Sequence, residues 1–120
     1  MKKFDRDSKI NFVDDNNCFI GFGDYQCCCE SFGWMLTKEP PKDIGEPELS
    51  EDHLEDAFFD PKADSIPNGI DGLDSGDART FLLRSEKHGD MYLTFYNAHN
   101  GYYSHGLEGN IGGIKIDTSL

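Results

Sequence analysis

The sequence predicts a mainly β fold, or an α+β fold with little helix, in which antiparallel hairpins form a small sandwich or curled sheet. Three observations predict it. Short apolar runs alternate with a period of two, as in KINFV (9–13) and MYLTFYN (91–97). Turn residues separate them, as in DDNN (14–17), KHGD (87–90) and GG (112–113). The 120 residues make one domain, 1–120, whose nine Phe, five Tyr and one Trp supply core bulk. At that length folding buries roughly 65% of the unfolded chain's surface, so no staple is needed.

Taken in order, 9–13 sets Ile10 and Phe12 against Lys9 and Asn11, and 18–22 (CFIGF) returns as a strand. With the Asp/Asn turn between them these form an N-terminal hairpin. Residues 24–36 (DYQCCCESFGWML) admit two readings. A short helix runs from about Gln26 to Phe32, capped by Asp24 and ended by Gly33, or the stretch stays extended. The short helix is preferred, with WMLT (34–37) as the next strand. All five prolines fall between residues 40 and 67, which marks an acidic, Pro/Gly-rich insertion at about 40–78. Inside it, 49–60 is a helix capped by Ser50 with Leu54 and Phe58 on one face, or DAFFD (56–60) is a short strand. Residues 61–78 are loop. RTFLLRSE (79–86) and MYLTFYN form a hairpin across KHGD, with Phe81, Leu83, Met91, Leu93 and Phe95 inward. LEGNI (107–111) and IKID (114–117) form the last hairpin across two glycines. Alternation therefore predicts a shared core of Ile10, Phe12, Ile20, Phe22, Phe81, Leu83, Leu93, Phe95 and Ile116.

The net charge is −12, from 11 Lys+Arg and 23 Asp+Glu. Lys42 to Asp77 alone holds twelve acids and two lysines, a net −10, which leaves −2 for the rest. The acidity is one block on a nearly neutral domain. Direct nucleic-acid binding is disfavoured, since phosphates need Lys/Arg, and so is an anionic membrane surface. A basic protein partner fits, as does a plain solvated loop. The start, MKKFDRDSKINF, lacks the apolar core of a signal peptide. No apolar run approaches the ~20 residues of a membrane span. The expected location is cytoplasmic.

Two segments carry the chemistry-bearing side chains. One is Cys27-Cys28-Cys29-Glu30, with Cys18 upstream; the other is NAHNGYYSHG (97–106). In a reducing compartment the cysteines are thiols, and their plainest role is as small buried apolar residues. Zinc is the functional alternative, through Cys27, Cys29, His99 and His105, although the spacing departs from the usual C-x₂₋₄-C pairs. A thiolate activated by His99 or His105 is a further alternative. In the late loop, Gly101 and Gly106 suit positive-φ positions and Asn100-Gly101 is a turn dipeptide. Turn chemistry leaves His99, His105 and one of Tyr102 and Tyr103 unexplained. The loop is therefore a turn first and a polar site second. It is expected beside the cysteine segment if the strands preceding the two lie one above the other or run in the same direction.

NFVDDNN, CCCESFGW and NAHNGYYSHG together resemble a family of small, functionally uncharacterised bacterial proteins. That family has a Cys-Cys-Glu element and a late His-Asn-Gly-Tyr-Tyr loop. The matching positions are Cys28, Cys29, Glu30, His99, Asn100, Gly101, Tyr102, Tyr103, His105 and Gly106, with the run of three cysteines ambiguous by one residue. The resemblance implies a fold and a shared surface, with no reaction attached. The leading functional expectation is a non-enzymatic binding or inhibitor module of the immunity-protein or phage-inhibitor kind. The alternative is a zinc-binding domain, with or without hydrolase activity, built on Cys27–Glu30 and His99/His105. Calcium at Asp60, Asp64, Asp71, Asp74 and Asp77 is a minor option, because DGLDSGDAR does not match an EF-hand loop.

Overall fold

The computed structural model describes residues 1–23, 30–42, 48–61, 76–99 and 106–120. Its strands are β1 (Lys2–Arg6), β2 (Lys9–Val13), β3 (Phe19–Gly23), β4 (Glu30–Thr37), β5 (Phe58–Phe59), β6 (Gly76–Arg84), β7 (Met91–His99), β8 (Gly106–Ile111) and β9 (Ile114–Ser119). One short 3-10 helix covers Glu51–Leu54. The strands form two antiparallel sheets, ordered β1-β2-β3-β8-β9 and β4-β7-β6-β5. They pack face to face as a small, mainly β sandwich.

The three expected hairpins form. Phe12 pairs with Ile20 in the first, Phe81 with Leu93 in the second, and Ile111 with Ile114 in the third. The third turns on Gly112 and Gly113 at φ 61° and 89°, where side chains are disfavoured. Seven of the nine expected core residues are buried in one cluster, and Ile10 and Ile116 pack against it partly buried. Aromatic rings bridge the sheets. Phe12 lies 5.1 Å from Trp34 and 5.5 Å from Phe95, while Phe22 lies 4.6 Å from Phe32 and 5.6 Å from Phe95.

Four features depart from expectation. β1 carries no apolar alternation: its Phe4 is 41% exposed and its neighbours are charged. It forms because Asp7 and Ser8, at φ 53° and 62°, make a two-residue turn that lays it on β2. Residues 30–33 are strand, not helix, since β4 pairs with β7 continuously from Glu30↔His99 to Thr37↔Tyr92. Gly33 ends no helix; a Cβ there would lie 2.5 Å from the Tyr96 hydroxyl, so the glycine makes room for a cross-strand ring. Of the 49–60 helix only four 3-10 residues remain, and Ser50 makes no side-chain cap bond. Leu54, Ala57 and Phe59 are all buried, a spacing that one helical face cannot supply, and Phe58–Phe59 pair with β6 as the alternative strand. Finally, 76–78 belong to β6 rather than to the 61–78 loop; residues 62–75 lie outside the described ones.

A buried carboxylate joins the layers. Asp14 is 5% exposed; its Oδ1 accepts from the Asn16 and Cys18 backbone N–H groups, and its Oδ2 from that of Phe59, each at 2.9 Å. The β2–β3 turn of one sheet is thereby tied to β5 of the other. Thr80 and Thr94, on the face of β6 and β7 away from the core cluster, are buried as well and share a 2.9 Å hydroxyl bond. The second sheet is thus buried on both faces around them.

Candidate functional site

The chain crosses between the sheets twice, and both crossings start and finish at the same end of the sandwich. One leaves Gly23 at the end of β3 and arrives at Glu30, the first residue of β4. The other leaves His99 at the end of β7 and arrives at Gly106, the first of β8. Glu30 and His99 are cross-strand partners in one sheet, and Phe22 pairs with Leu107 in the other. Antiparallel pairing of β4 with β7 produces this convergence, because the start of one strand must lie beside the end of the other. β3 and β7 lie one above the other in different sheets, with Phe22 on Phe95.

Among the sequence-predicted site residues, Glu30 and His99 are placed by backbone pairing. Cys27, Cys28, Cys29, Asn100, Tyr102, Tyr103 and His105 lie outside the described residues. Cys18 is a buried free thiol whose sulfur accepts from the Gly112 N–H at 3.3 Å, which is the plain packing role. Among the described residues no group of three or more His, Cys, Asp or Glu side chains is arranged to hold a metal ion.

Beside the crossings lie further residues of the two sheets. A cleft of about 230 Å³ is lined by Lys9, Phe22, Gly23, Gly106, Leu107, Glu108 and Asp117. Lys9 and Glu108 of that lining form an ion pair. That pair holds the Glu108 carboxyl below, and the Lys9 ammonium above, its ordinary range, chiefly through the hydrogen bond between them. Between the sheets at this end, fully buried Asn97 donates to the Leu120 carbonyl at 2.8 Å. The signal for such residues is a polar side chain at an inward position of an alternating strand, as Asn97 is after Leu93 and Phe95.

A second surface comes from the acidic block. Glu48, Glu51, Asp52 and Glu55 are exposed on and beside the 3-10 helix, and beyond the block Glu86 and Asp90 are exposed in the β6–β7 turn. The turn sits against the helix: the His53 and His88 rings are 4.3 Å apart, and Lys87 reaches Glu55 at 3.6 Å. Asp56 fastens the turn by accepting from the Ser85 hydroxyl at 2.5 Å and the Lys87 N–H at 3.0 Å, bonds that hold its carboxyl below the usual range. Arg84 bridges Asp90 at 2.7 Å and Asp60 at 2.8 Å, which raises its already high pKa.

No family model, curated protein or solved structure matches the chain. Among the described residues, no helix is long and apolar enough to cross a membrane.

Proposed function

We propose that this chain is a cytoplasmic, non-enzymatic binding or inhibitor module that engages a basic protein partner through its acidic face. One observation carries the reading: exposed carboxylates crowd the 3-10 helix, which lies inside a segment of net −10, and continue on the β6–β7 turn packed against it. Such a face steers a basic partner and repels nucleic acid and anionic membranes. Membership of the small bacterial family with the Cys-Cys-Glu and His-Asn-Gly-Tyr-Tyr elements is part of this proposal. The test is a pull-down from the source cell at graded salt, with Glu51→Lys/Asp52→Lys/Glu55→Lys in parallel. Capture of basic proteins that weakens with salt and is lost in the triple variant supports the reading. Capture indifferent to both overturns it.

A second reading draws on the pairing of Glu30 with His99. Here Cys27, Cys29, His99 and His105 hold zinc at the sheet-crossing end, where hydrolase chemistry is also open. Elemental analysis of protein purified without chelator separates the two: about one zinc per chain favours this reading, and none favours the first.

A further inference from the structure

Arg79 is the described residue whose placement least suits its chemistry. On β6 it has the parity of Phe81 and Leu83, which are buried in the core, and its cross-strand partner Phe95 is fully buried. Directly opposed residues of an antiparallel pair point to the same face, so Arg79 is directed between the sheets. Its Nε is buried and without a hydrogen-bond partner among the described residues. The residue as a whole is half-buried. Arg84, five residues on, shows the usual outcome in so acidic a chain, with two carboxylates within 3 Å. A guanidinium keeps its proton at any working pH and offers five donors in a planar fork. Leaving a buried donor unpaired is destabilising, and more so for a charged group.

The geometry points to Arg79 as the anchor of an oxyanion-binding site between the sheets, receiving the carboxylate or phosphate group of a small ligand. The fork matches the paired oxygens of either group. From Arg79 toward the crossing end the register continues with Asp77 paired to Asn97, Gly76 to Ala98, and His99 to Glu30. This inference is independent of the acidic face and its partner.

The experiment is thermal unfolding of the wild type, Arg79→Lys and Arg79→Met in sodium chloride, sodium phosphate or sodium succinate at matched ionic strength. Phosphate or succinate is expected to raise the wild-type Tm in a saturating manner, by about 5 °C at ten times Kd. The larger shift identifies the group, phosphoryl or carboxylate. Arg79→Met is expected to melt above the wild type in chloride and to lose the ligand-dependent part of the shift. Equal shifts in the wild type and Arg79→Met, or none with either anion, overturn the site. Should Arg79→Met not fold, the Arg79 Nε–H resonance of the ¹⁵N-labelled wild type decides, assigned by its loss in Arg79→Lys. Displacement by phosphate or succinate supports the site, and an unmoved resonance overturns it.

Discussion

Replacing Asp14 by Ala removes a side chain that ties the β2–β3 turn of one sheet to β5 of the other. Three N–H groups lose their acceptor, and the bonds to Cys18 and Phe59 are buried. A buried donor left unpaired costs about 1–3 kcal/mol, and bonds to an ionised acceptor lie at the upper part of that range. Two such donors, with a smaller term for the partly buried Asn16 N–H, give a loss of about 3–5 kcal/mol. That is a large share of the roughly 5–15 kcal/mol that holds a domain together. Asp14→Asn keeps one acceptor oxygen, which can stay on the turn while an amide N–H₂ opposes the Phe59 N–H. Its expected loss is about 2 kcal/mol. The assay is urea unfolding followed by Trp34 fluorescence, with ΔG from linear extrapolation. An Asp14→Ala loss under 1 kcal/mol, or an Asp14→Asn loss as large as that of Asp14→Ala, would refute the reasoning. The first would mean that water reaches these N–H groups, and the second that charge rather than acceptor count matters.

Gly109→Ala should destabilise by about 2 kcal/mol or more, because its Cβ would press into the Phe19 backbone carbonyl, whereas Gly106→Ala meets nothing within 4 Å and should be near neutral; urea midpoints of the pair check this. The Glu108 contribution is present above the carboxylate's unfolded pKa and fades as pH falls through its lowered folded value, while that of Lys9 is lost as pH rises through its raised one. The midpoint difference between wild type and Glu108→Gln should therefore be small at neutral pH, shrink with salt and vanish in acid; a difference that persists in acid would contradict the ion-pair account. Thiol titration of fresh protein in denaturant without reductant should count four free thiols, and a reproducible count of two or fewer would show that cysteines pair.

Alternation and turn chemistry are local properties, which is why three hairpins and most of the core could be read from residues alone. Ile20, Phe22, Leu93 and Phe95 announce their face by their spacing, and Gly112-Gly113 announces a tight turn. β1 was illegible for the converse reason. An edge strand pairs on one side and, with Phe4 exposed, has no inward apolar pattern to display. Gly33 looked like a helix stop because its cause, the Tyr96 ring, sits on a strand more than sixty residues away.

By itself, the sequence determined the fold class, three hairpins and their inward faces, the acidic block and the two segments rich in Cys, His and Tyr. Only the tertiary structure decided that β4 begins at Glu30 and runs antiparallel to β7, so that Glu30 meets His99 where both sheet crossings are anchored. It also decided that Asp14 spans the two layers and that Arg79 is directed between them. The physical reason is common to all three. Pairing between distant strands and burial between sheets are non-local terms, set by which strands become neighbours, and no residue's own spacing along the chain encodes that choice.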